Sequence, residues 1–146
     1  MVGVVKRIEY YYTVVPDRAG AGANVLNALK AARVNLLAFK GFPSGAGRAQ
    51  LDFVPSSQRS FQAAARKAGI RLVGPKTAFL IQGQDRVGAV ADITSKLAQA
   101  HINVTAVDAI AAGQRRYGAI LWVKPRKVGQ AAKILGASLP KPSLRL

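Results

Sequence analysis

Residues 17–38 read DRAGAGANVLNALKAARVNLLA, and 68 positions later residues 85–106 read DRVGAVADITSKLAQAHINVTA. Nine of these 22 positions match without a gap: Asp17, Arg18, Gly20, Ala21, Ala23, Leu29, Ala32, Asn35 and Ala38 recur as Asp85, Arg86, Gly88, Ala89, Ala91, Leu97, Ala100, Asn103 and Ala106. Chance alone gives roughly two matches in so alanine-rich a chain. A repeat of this length is too long for a solenoid and indicates two similar small domains, residues 1–74 and 75–146, with Gly74 and Pro75 as the joint. Each is near the lower size limit for an independent core, so each is expected to lean on the other.

The apolar periodicity supplies the elements. Residues 5–15 are rich in valine and tyrosine and read as a strand ending at Pro16. From Gly20 to Arg33, Val25, Leu26, Leu29 and Ala32 share one helical face. Residues 35–42 and 49–54 read as a hairpin around the turn PSGAG at 43–47. Ser57 offers a cap to a second helix, whose buried face is Phe61, Ala64, Ala65 and Ala68 before Gly69 stops it, and residues 70–73 close the unit as a short strand. The second half repeats the order with strand 77–82, helix 88–100, strand 102–110, turn 111–114, strand 117–123 and helix 126–135. Its ending departs, because Pro140 and Pro142 in SLPKPSLRL at 138–146 suit an edge, a short strand or a loose tail. The expected fold is α+β: two ferredoxin-like βαββαβ units, each an antiparallel sheet with helices on one face.

A strand ending in Asp, a glycine three residues later that opens a helix, and then Val34 and Asn35, or Ile102 and Asn103, leading into the next strand resemble the ACT domain. The resemblance covers nearly the whole chain, twice, and implies a free-standing tandem protein with no attached enzyme. It implies a regulatory function in which an amino acid or other small ligand binds where two such domains pair. The site would comprise Asp17, Arg18, Ala19, Gly20, Ala21 and Asn35 in the first half, and Asp85, Arg86, Val87, Gly88, Ala89 and Asn103 in the second. Physical chemistry supports the loop independently. Glycine lets a ligand approach the backbone, and the N–H groups of a starting helix favour a carboxylate. Asp17 or Asp85 can take an ammonium group, and Asn35 and Asn103 can both donate and accept. The bland reading makes Asp an N-cap, Gly a turn residue and Asn a left-handed cap.

Other chemistries find little support. The chain has no cysteine, which excludes disulfides and thiolate chemistry. His101 is the only histidine and Glu9 the only glutamate, so no acid–base pair or nucleophile constellation presents itself. The expectation is no enzyme, no cofactor and no metal. GAG at 20–22 lacks the third glycine of a dinucleotide fingerprint, since position 25 is Val25. No apolar run is long enough to span a bilayer, and Glu9 with three tyrosines interrupts any signal-like core, so a cytoplasmic protein is expected.

The net charge of +16 divides evenly, +8 on residues 1–73 and +8 on 74–146. Such a field draws anions, so an alternative function is binding of nucleic acid or an acidic partner, with Arg115, Arg116, Lys124, Arg126 and Lys127 as contacts. The sequence lacks the aromatic signature of RNA-binding domains built on the same plan, and Trp122, aligned with Phe53 across a one-residue turn insertion, is expected to pack. Nucleic acid is therefore ranked second. One of Tyr10, Tyr11 and Tyr12 is expected on the open sheet face, where a second copy of the chain could cover it as a homodimer.

Overall fold

The computed structural model describes residues 3–138. The element order is β1 (Val4–Pro16), α1 (Ala21–Ala31), β2 (Leu36–Gly45), β3 (Arg48–Pro55), α2 (Gln58–Lys67), β4 (Val73–Gln84), α3 (Ala89–Gln99), β5 (Val104–Gly113), β6 (Arg116–Val123) and α4 (Val128–Leu135), the last preceded by a short 3₁₀ turn over Pro125–Lys127. The fold is α+β, with antiparallel pairing of β1 with β3, β2 with β3, β4 with β6, and β5 with β6.

Residues 10–76 form one compact unit, and residues 3–9 with 77–138 form the other. This partition differs from a cut at Gly74 and Pro75 because β1, at 13 residues, is twice the usual strand length and gives half to each unit. Likewise β4 runs unbroken from Val73 to Gln84 through Gly74 and Pro75, where the sequence suggested a joint between two strands. The strand order is β2-β3-β1-β4 in the first unit and β1-β4-β6-β5 in the second. In the second unit, residues 4–9 thus occupy the place beside β4 where a strand after α4 was expected. Of that last strand the described residues keep one parallel bridge: the Ser138 N–H donates to the Val5 carbonyl at 3.0 Å, and the Arg7 N–H donates to the Ser138 carbonyl at 2.9 Å. The expected edge at Pro140 and Pro142 lies outside the described residues.

The 68-residue offset governs the geometry as well as the sequence. Tyr11 faces Phe53, and Phe79 faces Leu121; the irregularities at Leu36/Ala38 and Pro43/Gly45 return at Val104/Ala106 and Ala111/Gly113. No turn insertion is needed. Trp122 is the counterpart of Val54, not of Phe53, since Ala106 faces Trp122 as Ala38 faces Val54. Both are buried, as a packing position requires.

In residues 10–76 the core joins Tyr11, Leu51 and Phe53 of the sheet to Leu29 of α1 and Phe61 and Ala64 of α2. The alternation of strand side chains puts these on one face, and Phe53 stacks obliquely on Phe61 with ring centroids 5.3 Å apart. Ala32 and Ala68, expected in this core, are exposed because each helix ends one residue before them. Ser57 caps α2 as expected, its hydroxyl accepting from the Ser60 N–H at 3.3 Å. In the other unit Phe79, Ile81, Ala119 and Leu121 meet Ile93 and Leu97 of α3 and Ala131 and Leu135 of α4. Each fully buried Leu, Ile or Phe contributes roughly 1.5–3 kcal/mol, so these layers fix where the strand-to-helix loops must emerge.

Candidate functional site

The two loops that join strand to helix share a backbone construction. The Asp17 N–H donates to the Gly47 carbonyl at 2.9 Å, and the Asp85 N–H donates to the Arg115 carbonyl at 2.8 Å, tying each loop to the turn of its hairpin. Gly20 and Gly88 then adopt left-handed φ of 91° and 80° and stand at the N-cap position, with no side-chain cap. The aspartates are therefore not the caps that the bland reading made them. At α3 the Ala89 N–H donates to Arg86 and the Asp92 N–H to Gly88, which leaves the first-turn N–H groups of Val90 and Ala91 for water or a ligand.

The loop at 85–89 borders two clefts. One, of about 270 Å³, is lined by Asp85, Arg86, Gly88, Ala89, Ile110 and Tyr117 among others and lies at the start of α3 beside β5. The other, of about 370 Å³, is lined by Gln82, Gln84, Arg86, Arg116 and Tyr117, with Gly3 and Gly83 contributing backbone. Arg86 forms an ion pair with Asp92 and also donates to the Val87 carbonyl at 3.3 Å. The hydrogen bond and charge of Arg86 hold the Asp92 carboxyl below its ordinary value of 3.8. Tyr117 is buried, and burial pushes its phenol above the ordinary 10.0, so it stays a neutral hydroxyl at physiological pH.

Of the residues picked from sequence, Asp85, Arg86, Gly88 and Ala89 come together in the smaller cleft. Val87 is fully exposed and does not line it. Asn103 is elsewhere: it precedes Val104, which faces Val123, whereas Asp85 sits beside the turn at Arg115. Seven strand residues at about 3.4 Å each put roughly 24 Å between those ends. The same holds for Asn35, whose carbonyl accepts from the Ser56 N–H at 3.0 Å at the far end of β3 from Asp17. Asn35 and Asn103 thus lie at the end of each hairpin opposite the loops at Asp17 and Asp85. In the first copy Asp17, Arg18, Ala19, Gly20 and Ala21 form the matching loop. Nor do the asparagines supply left-handed caps, since Arg33 and His101, both at φ 58°, do so.

Gln82, Gln84, Arg116, Tyr117 and Asp92 were not picked from sequence as parts of a ligand site. A signal existed in the departures between copies: Val14, Pro16, Ala49 and Asn24 stand where the second copy has Gln82, Gln84, Tyr117 and Asp92. The described residues contain no cluster of His, Cys, Asp or Glu able to hold a metal ion. None of their helices is long and apolar enough to cross a membrane.

No protein-family model and no curated protein sequence matches the chain. Solved structures do match in fold. Protein BT0572 from Bacteroides thetaiotaomicron superposes with a TM-score of 0.76 at 13% identity, over 93% of this chain and 90% of that one. The ligand-free regulatory subunit of aspartate kinase from Thermus thermophilus gives 0.59 at 17% identity, covering 90% and 94%. The corresponding subunit from Thermus flavus gives 0.53 at 17%, covering 91% and 95%. The fold is therefore ACT-like, shared with aspartate kinase regulatory subunits over nearly their whole length.

Proposed function

We propose that the chain is a non-enzymatic regulatory protein that binds an amino acid at its strand-to-helix loops, 17–21 and 85–89. In this reading it consists of two ferredoxin-like units, the second borrowing residues 4–9 as its fourth strand, and it works as a cytoplasmic homodimer that relays ligand binding to itself or to a protein partner. The carrying observation is the cleft at the start of α3, where Asp85 can meet an ammonium group while the N–H groups of Val90 and Ala91 meet a carboxylate. The fold shared with aspartate kinase regulatory subunits agrees with such a role. Regulation requires that the ligand favour one state of the protein over another, since equal affinity shifts nothing.

A thermal-shift screen of amino acids tests the reading, because a ligand at a hundred times its dissociation constant stabilises by about 2.7 kcal/mol. Asp85→Ala should abolish the shift while the unliganded melting temperature stays unchanged. Persistence of the shift in both Asp17→Ala and Asp85→Ala would remove the loops from consideration. Nucleic-acid binding remains second, because Arg116, one of the cations on which it relies, lines the cleft at the loop. It predicts a steep loss of affinity with salt that a zwitterion in a loop would not show.

A further inference from the structure

Among the described residues β2 and β5 each have one hydrogen-bonded neighbour, β3 and β6 respectively. The outer side of each strand therefore presents a row of backbone N–H and C=O groups that can pair with another strand. Sheet edges are commonly guarded by a lysine or a proline. β2 carries both, as Lys40 and Pro43, whereas β5, VTAVDAIAAG at 104–113, carries neither. On β5, Ile110 is 73% exposed and faces Gly118, which has no side chain to cover it.

The distribution of charge singles out the same strand. Residues 97–114 contain no Lys or Arg, the longest such stretch in a chain that has 22 of them. The one formal charge on β5 is Asp108, opposite in sign to the net +16. Two copies of so basic a chain repel one another over most of their surface, and their approach is least costly where the cations are missing. By the same reasoning a polyanion finds no cation on β5 to neutralise its phosphates or carboxylates.

We propose that the outer edge of β5 is the surface through which two copies of the chain associate, by antiparallel pairing of β5 with β5. The inference rests on the homodimer reading above and assigns its surface. Antiparallel pairing lets one strand meet its own copy under a two-fold axis, so a single surface serves both partners. Main-chain hydrogen bonds then satisfy the outward backbone groups, and the neighbouring strand shields Ile110 from water.

Sedimentation equilibrium of the full chain, native and with Ile110→Lys or Leu37→Lys, tests this. The two residues are 73% and 53% exposed, so both variants are expected to fold, and circular dichroism checks that. The expected result is a native dimer whose dissociation constant rises at least tenfold in Ile110→Lys and stays unchanged in Leu37→Lys, on the guarded edge. Hydrogen exchange in the native chain gives a second reading that depends on no variant: the amides of 104–113 should gain protection as protein concentration rises, and those of 36–45 should not. A dimer that withstands Ile110→Lys, that is weakened as much by Leu37→Lys, or that lacks this protection on β5 would overturn the surface and leave the homodimer reading standing. A native chain that stays monomeric up to millimolar concentration would remove the homodimer and this surface together, without touching the amino-acid reading of the loops.

Discussion

Arg86 and Asp92 are joined by an ion pair across the first turn of α3, with the guanidinium Nη2 donating to the carboxylate Oδ2. The pair holds an arginine that borders both clefts. Because both side chains are exposed, the pair adds little to stability and acts mainly on position.

The carboxyl of Asp92 is the reporter for that arrangement. Its folded value lies below the ordinary 3.8, so the stabilisation is present above that value and is lost as pH falls through the lowered one. Arg86→Gln should raise the Asp92 titration midpoint toward the ordinary value, as followed by NMR of the side-chain carboxyl. A midpoint that does not move would mean that Arg86 does not hold this carboxylate in solution.

Each helix stops in the same way, with one left-handed residue and an N–H that reaches back five positions. Val34 bonds to Leu29 at 3.0 Å, Ile70 to Ala65 at 2.9 Å, Ile102 to Leu97 at 2.9 Å and Ala137 to Ala132 at 2.9 Å. Glycine fills the left-handed position after α2 and α4, but Arg33 and His101 fill it after α1 and α3. A side chain in that conformation costs roughly 1–2 kcal/mol, and glycine gives back part of the gain as unfolded-chain entropy. Arg33→Gly and His101→Gly should each stabilise by about 0.5–1 kcal/mol in urea denaturation, whereas Gly69→Ala should destabilise by a similar amount. Two neutral glycine variants would refute the assignment of strain.

Much of the fold was legible because the duplication repeats local signals that one copy alone would leave ambiguous. The capping serine at Ser57, the buried face of Phe61, Ala64 and Ala65, and the helices opened by Gly20 and Gly88 all follow from short-range chemistry. The run of β4 through Gly74 and Pro75 was not legible, since glycine and proline punctuate most chains and only the pairing of a strand can overrule them. The use of residues 4–9 beside β4 was equally hidden, because strand pairing is long-range and a 13-residue strand does not announce that two units divide it. Asn35 lies a helix away from Asp17 in sequence, and the sequence alone did not show that the hairpin carries it to the other end. Arg116 and Tyr117 became visible only when the hairpin turn was placed against the loop at Asp85.

Tyr11 ties the sheet to α2 within residues 10–76. Its hydroxyl donates to Gln58 Oε1 at 3.0 Å and accepts from the Gln62 amide, while its ring packs on Phe61 at 5.5 Å between centroids. Tyr11→Phe keeps the ring and removes the two bonds. Because Gln58 and Gln62 reach solvent, neither is left buried and unpaired, so the loss should be about 0.5–1 kcal/mol. Tyr11→Ala also opens a cavity and should cost about 3–5 kcal/mol. Chemical denaturation of both variants checks the order, and equal losses would show that the ring contributes nothing beyond its hydroxyl.

The two copies should not bind alike. Both present Asp, Arg and a left-handed glycine at the loop, so a loop that sufficed by itself would take two ligands per chain. In the second copy Asp92 pairs with Arg86 beside the loop and Tyr117 lines the adjoining cleft, where the first has Asn24 and Ala49. A bound polar group left without partners costs about 1–3 kcal/mol, and two such groups suffice to move a micromolar site toward the millimolar range. Titration calorimetry should therefore return one ligand per chain, with Asp85→Ala abolishing the heat and Asp17→Ala leaving it intact. Two equal sites, or a signal lost in Asp17→Ala alone, would show that the loop backbone rather than its polar surroundings decides where the ligand binds.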